Sequence, residues 1–518
     1  MGHKIFLLLI ISIFFLNECR SQYNLEWVER TIGPDNSSIS LIDFNLDKSG
    51  NINLLDFKYL ITQYDQNSNL IWQRQYPLPG FLMRGSSYSV ISDDSGNIYI
   101  SGEADSISFN PDFLTVKYNR NGILQWSRYF GGPNTGTDRA YEMIVYKNKY
   151  LYVLGNNSYA DSGNCNFKWT LIKYDLNGNK FWSYQYCGYS KYIAGDYAPK
   201  PELAIDSSGN LIISGSDYNT VNSLYELKII KLDSSGNQVW FKTIQEIYSS
   251  GGMLTDVNSN IYIGANGILK LDSNGDSLWY NYFERLIDFN IDTNQNLIAT
   301  SYTDTNKIYY ILINKIDTSG NEIWTSQSPA GLLPISMFTN QNNKIFITAY
   351  GVGSERYKYH TLAFNSDGIL FWSGVYEVSS STGCISRKII SDINDNIYVS
   401  GNTLGSNPRE IITVKYSLIT GNSNSVTILP DKFLLNQNYP NPFNPKTIIN
   451  YELPVTGNAE LKIFDVLGNE VAILVNEKQS AGSYKVDFDG SNFASGVYFY
   501  RLDFGGNIIG TKRMVLLK

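Results

Sequence analysis

The sequence contains very little histidine and cysteine and has no excess of positive charge. Of 518 residues only two are histidine, His3 and His360, and four are cysteine. A zinc site built on several histidines, or a Ser-His-Asp triad, therefore has few residues to draw on. Lys and Arg total 41 against 48 Asp and Glu, a net charge of -7, which argues against nucleic acid as a partner. We expect no metal and no cofactor.

Long apolar runs are also missing, apart from one at the N-terminus. Lys4 is followed by an almost wholly apolar segment, Ile5–Leu16. A membrane-spanning helix needs ~20 apolar residues, so this run is too short to remain as a span. It predicts a signal peptide over residues 1–21, cut before Gln22, and no transmembrane span in the mature chain. The alternative is a lipoprotein anchored through Cys19.

Three cysteines remain after that cleavage. Cys165 and Cys187 lie symmetrically about the turn-like segment DLNGN at 175–179. A hairpin closed by this turn would bring the two thiols together at its open end, so the sequence predicts a disulfide between them. Cys384 has no partner in this scheme and is interpreted as a buried thiol.

Aromatic residues and glycine are abundant, and they recur in a fixed pattern. The chain has 39 Tyr, 25 Phe, 9 Trp and 42 Gly and is only 17% charged, a composition typical of all-β proteins. Ten-residue blocks combine an apolar lead-in, a polar Asp/Asn/Ser/Gly cluster and a final tryptophan, as in KYDLNGNKFW. This pattern predicts two antiparallel strands joined by a tight turn. The blocks occupy 63–72, 117–126, 173–182, 231–240, 270–279, 315–324 and, in a variant form, 363–372.

A second kind of hairpin lies between these blocks and occurs eight times, as in DDSGNIYISG from residue 93. Two hairpins per unit make a four-stranded sheet, and the 39 to 58 residues between unit starts are typical of propeller blades. The eighth unit, from residue 415, lacks its tryptophan strand, while Trp27 lies in a strand with no hairpin before it. We therefore predict an eight-bladed β-propeller over 22–420, closed by the N-terminal strand.

The repeat resembles the tryptophan-docking repeats of eight-bladed quinoprotein-type propellers and, more loosely, the short bacterial β-propeller repeats. The resemblance covers the turn and the tryptophan only. Quinoprotein dehydrogenases carry an adjacent cysteine pair and a calcium-quinone site, and this sequence has no Cys-Cys dipeptide. The resemblance therefore implies the fold without the redox activity.

The C-terminal part of the chain has a different composition. Five of the fifteen prolines fall between Pro430 and Pro454, which marks a domain boundary. We predict a linker over 421–432 and a separate domain over 433–518. Segments of alternating apolar residues separated by Gly, Asn and Pro turns favour a small Ig-like antiparallel β-sandwich for this domain.

Five segments of this domain closely resemble the type A sorting domain of the type IX secretion system. They are NYPNPFNPKTIINYELP, LKIFDVLGNEV, AGSYKVDFD, ASGVYFYRL and TKRMVLLK, in that order. The resemblance implies export to the periplasm, recognition by the type IX translocon, and then attachment to the outer-membrane cell surface or release. The positions that match the family motif are Pro440, Asn441, Pro442, Asp465, Gly468, Gly496, Tyr498 and Lys518.

Several residues could carry chemistry, and each also has a structural interpretation. Asp43, Asn45, Asp47 and Asp56 suggest a calcium loop, but their spacing departs from an EF-hand and Asp47 falls in register with the other hairpin turns. The repeated tryptophans could be sugar platforms, although their fixed place in each unit favours packing between blades. His360 has no second histidine to act with.

Up-and-down topology places the longer connections on one side of the ring, opposite the tight turns. Those connections fall at 102–113, 128–142, 155–168 and 184–202, and a ligand surface would lie there; the alternative is that these loops have no role. The candidate ligand residues are Tyr159, Tyr189, Tyr192, Asp196 and Tyr197.

Three functions remain open from the sequence. The leading hypothesis is an exported, non-enzymatic propeller that binds an extracellular glycan or protein. The competing class is a secreted polysaccharide hydrolase or lyase with its site in the central cleft, since carboxylate pairs cannot be placed in space from sequence. The third is a purely structural envelope component. A compact set of carboxylate, Arg and Tyr side chains at the mouth of the cleft would favour an enzyme.

Overall fold

The computed structural model is built almost entirely from β-strands. The described residues are 23–78, 85–105, 111–131, 137–158, 165–190, 200–245, 247, 251–353, 356–378, 383–418, 433–455, 457–479 and 482–518. Their single helix is a 3-10 turn, Pro34–Asn36, so the all-β prediction is confirmed. Within these ranges no helix has the length and apolar character needed to cross a membrane. The predicted signal peptide, 1–21, and linker, 421–432, lie outside the described residues.

Eight four-stranded antiparallel sheets make up the described part of residues 23–418. The first strand along the chain is β1 (Tyr23–Thr31). The first four sheets are β2 (Leu41–Leu46), β3 (Ile52–Asp56), β4 (Leu60–Tyr64) and β5 (Leu70–Gln75); β6 (Gly85–Ser92), β7 (Ile98–Asp105), β8 (Pro111–Tyr118) and β9 (Leu124–Phe130); β10 (Asp138–Tyr146), β11 (Tyr150–Ser158), β12 (Phe167–Asp175) and β13 (Lys180–Gly188); and β14 (Glu202–Ile205), β15 (Leu211–Asn219), β16 (Leu224–Leu232) and β17 (Gln238–Gln245).

The next four sheets continue in chain order. They are β18 (Met253–Thr255), β19 (Ile261–Gly264), β20 (Gly267–Leu271) and β21 (Ser277–Tyr282); β22 (Leu286–Ile291), β23 (Leu297–Thr305), β24 (Ile308–Ile316) and β25 (Glu322–Gln327); β26 (Leu332–Thr339), β27 (Ile345–Gly351), β28 (Tyr359–Phe364) and β29 (Leu370–Tyr376); and β30 (Cys384–Ser391), β31 (Ile397–Thr403) and β32 (Ile411–Leu418) together with β1.

The eight sheets are arranged around a ring in the manner of a β-propeller. The first strands of neighbouring sheets contact each other, except that the fifth sheet contacts the sixth through β19 and β22, and β2 of the first sheet contacts β30 of the eighth. The first strands are therefore innermost, and the tight turns after the first and third strands of each sheet lie on one side of the ring. We call this the turn side and the opposite side the loop side.

The N-terminal strand completes the eighth sheet. β1 pairs antiparallel with β32 along its length, from Tyr23 opposite Leu418 to Thr31 opposite Ile411. The indole Nε1 of Trp372, in the seventh sheet, donates to the carbonyl oxygen of Tyr23 at 3.1 Å. The two ends of the repeat array are thus joined by both a strand ladder and a side-chain hydrogen bond.

The repeated tryptophans pack between neighbouring sheets. In seven of the eight the indole Nε1 donates to a carbonyl oxygen in the next sheet, at 3.1 to 3.2 Å. At five junctions a glycine of the outer turn faces the indole so closely that a Cβ would lie 2.6 to 2.9 Å from it, namely Gly122, Gly178, Gly236, Gly320 and Gly368. This arrangement matches the packing interpretation of the repeat. The seven donors are Trp27, Trp72, Trp126, Trp240, Trp279, Trp324 and Trp372.

A buried lysine in most repeats supports the same junction. Lys117 donates to the carbonyl oxygen of Leu176 at 2.7 Å, and the indole of Trp126 donates to that same oxygen at 3.1 Å. The Lys117 ammonium lies 5.1 Å from the centre of the Tyr99 ring, a favourable cation–π distance. Burial lowers the pKa of Lys117. The repeat motif is therefore used to join sheets.

The early strands run further toward the loop side than the sequence indicates. The predicted connections at 102–113 and 155–168 are partly strand, because β7 extends to Asp105 and β12 starts at Phe167. Phe113, Phe167 and Trp169 are fully buried in this region. These rings fill space between sheets, so their strands continue for as long as there is a neighbouring sheet to pack against.

The C-terminal domain consists of two antiparallel sheets that share one core. Its core includes Tyr451 and Ile449 from one sheet and Tyr500, Leu461 and Met514 from the other. The sheets contain β33 (Leu434–Leu435), β34 (Lys446–Leu453) and β37 (Gly482–Asp489), and β35 (Gly457–Phe464), β36 (Glu470–Gln479), β38 (Gly496–Phe504) and β39 (Asn507–Leu516).

Candidate functional site

Of the predicted ligand residues, only Tyr189 is among the described residues, and it lies at the loop side of the third sheet. Tyr189 follows β13 directly and is half-buried. Its backbone N–H donates to Asp217 Oδ1 at 2.7 Å, and its carbonyl oxygen accepts from the N–H of Tyr218 at 2.8 Å. The fourth sheet therefore holds this connection in place. Tyr159, Tyr192, Asp196 and Tyr197 lie outside the described residues.

Two tyrosines that the sequence analysis did not single out extend this region. The Tyr189 and Tyr218 rings lie 6.4 Å apart between centres, and Tyr218 packs against Tyr225 at 5.1 Å. Tyr218 and Tyr225 face each other across β15 and β16 beside the loop-side turn, and both are half-buried. The three rings, Tyr189, Tyr218 and Tyr225, form what we call the loop-side tyrosine patch. Tyr218 and Tyr225 lie at the two ends of one turn, and this placement could have identified them from the sequence.

The Asp217 carboxylate holds the patch in place through two hydrogen bonds. Besides the Tyr189 N–H, it accepts the phenol of Tyr186, with 2.6 Å between Tyr186 Oη and Asp217 Oδ2. Burial, followed by the hydrogen bond to Asp217, raises the pKa of the Tyr186 phenol. This phenol therefore stays protonated and acts as a donor that orients Asp217, rather than as a base.

A compact carboxylate, Arg and Tyr cluster lies between the second and third sheets, near the loop-side ends of β7 and β10. Arg139 Nε is 2.9 Å from Glu103 Oε2, and the Tyr88 phenol donates to Glu103 Oε1 at 3.0 Å. The Tyr88 ring packs 5.1 Å from that of Tyr141. Burial, then the charge of Glu103, raises the pKa of Tyr88. The members of this cluster thus satisfy one another.

Carboxylates on the innermost strands join one sheet to the next. Asp43 Oδ1 is 2.6 Å from Lys388 Nζ, and its Oδ2 accepts the N–H of Val90 at 3.0 Å. Asp288 Oδ2 accepts the N–H of Met337 at 3.0 Å. Burial raises the pKa of Asp288 to about 6. Each carboxylate therefore reaches from its own inner strand to the backbone of the following one.

Glu142 makes the same kind of link from the third sheet to the fourth. Its Oε2 accepts the N–H of Leu203 at 2.9 Å. Burial, then the neighbouring Glu202, raises the pKa of Glu142 well above its ordinary value, while Lys200 acts in the opposite direction. A buried carboxyl that accepts a backbone N–H is a structural link first.

The acidic residues considered as calcium ligands bind backbone and amide N–H groups. Asp47 Oδ1 accepts the N–H of Ser49 and Asn51 at 2.8 and 2.9 Å, and its Oδ2 accepts the Asn51 side-chain amide at 2.8 Å. Asp56 likewise accepts the N–H of Ser40 at 2.7 Å. The same turn recurs around the ring, and across the described ranges no three Asp, Glu, His or Cys side chains are grouped as a metal site would need. These are the contacts of a tight turn.

The described cysteines and His360 lie apart from these clusters. Cys165 and Cys187 are joined in a disulfide with 5.6 Å between their Cα atoms, at the open end of the β12–β13 hairpin. Cys384 is a buried free thiol, and burial raises its pKa to about 12. His360 is buried within β28. None of them belongs to the clusters described above.

The sorting-motif residues pin the start of the C-terminal domain to its last strand. Asn441 Oδ1 accepts the N–H of Val515 at 2.9 Å, and the peptide bonds before Pro440 and Pro442 are cis. Asp465 and Gly468 form the same Asx turn as the propeller hairpins, with Gly468 at a φ of 84°.

The remaining motif residues lie around β38. Gly496 begins that strand, and the Tyr498 phenol donates to the carbonyl oxygen of Ala494 at 3.0 Å. Lys518 Nζ donates to the carbonyl oxygen of Ser491 at 2.6 Å. The motif thus holds together the turns and the last strand of this domain.

Comparison with known proteins identifies the C-terminal domain. Residues 437–516 match the family model described as "Secretion system C-terminal sorting domain". No curated protein sequence matches the chain.

Among solved structures, BamB from Moraxella catarrhalis is 14% identical with a TM-score of 0.44, covering 76% of this chain and 100% of that one. The Dos1 propeller is 9% identical with a TM-score of 0.49, covering 77% and 96%. The polysaccharide lyase Uly1 is 10% identical with a TM-score of 0.35, covering 67% and 93%. None of these likenesses bears on activity. The predicted type IX sorting domain is confirmed, and with it the chain is a β-propeller protein exported for display at the cell surface or for release.

Proposed function

We propose that this chain is a secreted binding module, in which an eight-bladed β-propeller takes up an extracellular glycan or protein without chemistry. The eight sheets described above are the blades, and β1 closes the ring. In this proposal residues 1–21 are a signal peptide, 22–420 form the propeller, 421–432 link the two domains, and 433–518 form an Ig-like sandwich that the type IX translocon recognises.

The observation that carries this proposal is how the ionisable groups are used. Asp43, Asp288 and Glu142 each accept a backbone N–H of the next inner strand. A carboxylate that is fixed between two strands has at least one oxygen used as a structural acceptor and little freedom to move toward a substrate. The described ionisable groups of the inner strands thus support architecture more readily than catalysis.

The loop-side tyrosine patch is the binding surface in this proposal. Tyr189, Tyr218 and Tyr225 combine half-buried rings with phenol groups, the mixture that recognises sugars and protein side chains. Tyr159, Tyr192, Asp196 and Tyr197 stay candidate ligand residues of this proposal on the sequence alone.

A hydrolase or lyase is the second candidate, and the Glu103 cluster favours it. Carboxylate, guanidinium and phenol groups lie within hydrogen-bond distance of one another there, as an enzyme acting on polysaccharides would need. Against it, Arg139 and Glu103 neutralise each other, and the raised pKa of Tyr88 makes its phenol a poor base. Binding therefore remains the better supported function.

The test uses the full-length protein as its cells export it. We expect it to bind members of a panel of immobilised polysaccharides and cell-surface proteins, and to release no sugar product from any of them. Tyr225→Ala should weaken this binding at least tenfold, because it removes one ring of the patch. Phe181→Ala is the matched control, since Phe181 is an exposed aromatic residue on the turn side.

Two results would contradict this proposal, one for the binding function and one for the binding surface. Release of product that is lost in Glu103→Gln, at an unchanged melting temperature, would establish the enzyme. Retention of every ligand at full strength by Tyr225→Ala would show that the patch is not the binding surface.

A further inference from the structure

A groove opens on the outer flank of the ring between the fifth and sixth sheets. Its volume is about 420 Å³, within the ~300–1,000 Å³ range of small-ligand sites. It lies between the last strand of the fifth sheet, β21, and the face of the sixth sheet formed by β23 and β24. It is lined by Asn281, Tyr282, Phe283, Glu284, Ser301, Tyr302, Thr303, Leu312, Asn314, Ile316, Gly320 and Glu322.

The groove exists because the fifth sheet is short. Its strands β20 and β21 have five and six residues, while β23 and β24 of the sixth sheet have nine each. The shortest interval between repeats in the sequence, from 231 to 270, produces this difference. The loop-side half of the sixth sheet therefore has no equally long neighbour to cover it.

A missing side chain keeps the groove open. In the first three sheets an aromatic residue four positions before the repeat Lys or Gln is buried against a glycine of the next sheet; these pairs are Tyr59 with Gly102, Phe113 with Gly155, and Trp169 with Gly215. The fifth sheet has Asn266 at this position, in a bend with a φ of 50°. Ser301, which occupies the glycine's place in the sixth sheet, borders the groove instead of an aromatic ring.

One position that is apolar and buried in other sheets is polar in the sixth sheet, where it borders the groove. The residue just before the repeat lysine is apolar and at most 2% exposed in five other sheets, as Val116, Ile172, Ile230, Leu269 and Val414. In the sixth sheet this residue is Asn314, which is half-exposed and lines the groove. The Asn314 Nδ2 donates to Thr325 Oγ1 at 2.6 Å, and its Oδ1 can accept a hydrogen bond from water or a polar ligand.

The lining chemistry selects a neutral, hydroxyl-rich ligand. Tyr282 is 70% exposed and Tyr302 half-exposed, so their rings are available for stacking against a sugar face. The lining contains the carboxylates Glu284 and Glu322 and no Lys or Arg. The adjacent Arg285 pairs with Asp304 at 2.7 Å and lies over one face of the Tyr302 ring at 5.2 Å, while the ring still lines the groove. This excess of negative charge repels polyanions.

We infer that this groove binds a neutral oligosaccharide. A sugar ring stacks on Tyr302, and its hydroxyls pair with the side chains of Asn281, Asn314 and Glu322. The site is separate from the loop-side tyrosine patch, and it rests on the proposed function only in taking the propeller to be a binding module. A peptide is the other occupant that the same lining could accept, and the test below treats it as a negative outcome.

The experiment titrates full-length protein with four neutral hexasaccharides, of the cello-, xylo-, malto- and manno- series, and with hexagalacturonate as the anionic comparator. Binding is followed by calorimetry and by the fluorescence of Trp279 and Trp324, which lie in the two flanking sheets. We expect at least one neutral hexasaccharide to bind, with hexagalacturonate at least tenfold weaker.

Two groove variants and one control separate this site from the patch. Tyr302→Ala removes the stacking ring, and Asn314→Leu restores the apolar residue of the other sheets. Each should weaken binding at least tenfold, and Asn314→Leu should leave the melting temperature unchanged or raise it, so its loss of binding is not a loss of fold. Phe181→Ala, at an exposed ring on the turn side of the third sheet, is the control and should bind like the unmodified protein; Tyr218→Ala reports separately on the loop-side patch.

Three results would overturn the inference. They are the absence of binding by all four neutral hexasaccharides, tighter binding of hexagalacturonate, and full binding by both groove variants. If Tyr218→Ala abolishes binding while the groove variants retain it, the proposed function stands at the loop side and the groove site fails. Capture of a peptide but of no sugar would also refute the oligosaccharide.

Discussion

Replacing a single glycine should show how strongly neighbouring sheets are interlocked. Gly178 lies in the outer turn of the third sheet with a φ of 80°, and a Cβ there would lie 2.8 Å from the Trp126 ring of the second sheet. That ring is held in place by its hydrogen bond to Leu176. Gly178→Ala therefore imposes two costs, a left-handed backbone with a Cβ and a clash with a fixed indole.

The magnitude follows from treating the two costs separately. A left-handed conformation costs an L-residue about 1–2 kcal/mol, and overpacking against a side chain that cannot move adds about 1–3 kcal/mol. Gly96 supplies the matched control. It lies in a turn of the same Asp-centred type in the second sheet, with a φ of 75°. A Cβ there would lie 3.5 Å from its nearest atom. Gly96→Ala should thus incur only the backbone cost.

Urea denaturation followed by tryptophan fluorescence measures the difference. We expect Gly178→Ala to lower the free energy of unfolding by about 2–5 kcal/mol and Gly96→Ala by about 1–2 kcal/mol. If the two variants lose the same amount, the tryptophan and glycine contact does not join the sheets, and the tryptophans would again be available as ligand platforms.

Two further predictions concern charge and export. Because burial raises the pKa of Asp288 from 3.8 to about 6, the folded chain holds a proton that the unfolded chain releases, and the resulting stability, at most about 3 kcal/mol, is present below pH 4 and lost as pH rises through 6. Asp288→Asn, whose amide oxygen can still accept the Met337 N–H, should remove this dependence in urea titrations at pH 4 to 7, and parallel curves for the two proteins would contradict the reasoning. A chain that ends at residue 430 should stay in the periplasm while the full-length chain reaches the outside; equal amounts of both in the external fraction would contradict the sorting assignment.

The parts of the fold that depend on short-range pattern were readable from the sequence. A turn such as DLNGN followed by a tryptophan encodes a hairpin, because the Asp175 carboxylate binds N–H groups only two and four residues ahead. Repetition of that hairpin then indicates similar sheets side by side. The sorting domain was equally readable, because its motif residues make their contacts within one small domain.

The parts that depend on contacts between sheets were not readable. The length of β12 is set by Trp169, whose ring is buried against Gly215 of the next sheet, and Trp169 lies before the repeated block that starts at residue 173. The groove could not be predicted for the same reason. Asn266 and Asn314 look like ordinary polar residues in the sequence. Their effect is visible only once the structure shows that the aromatic and apolar residues at the matching positions fill the space between sheets.

The pairing of β1 with β32 has a consequence for how the protein is made. Synthesis produces Tyr23 first and Leu418 nearly four hundred residues later, yet they are opposite each other in one ladder. β1 cannot pair with β32 until the whole array has been translated. A shortened product would therefore keep two unpaired edge strands that can pair with other chains. The β1–β32 pairing, which forms last, therefore requires that the array is complete.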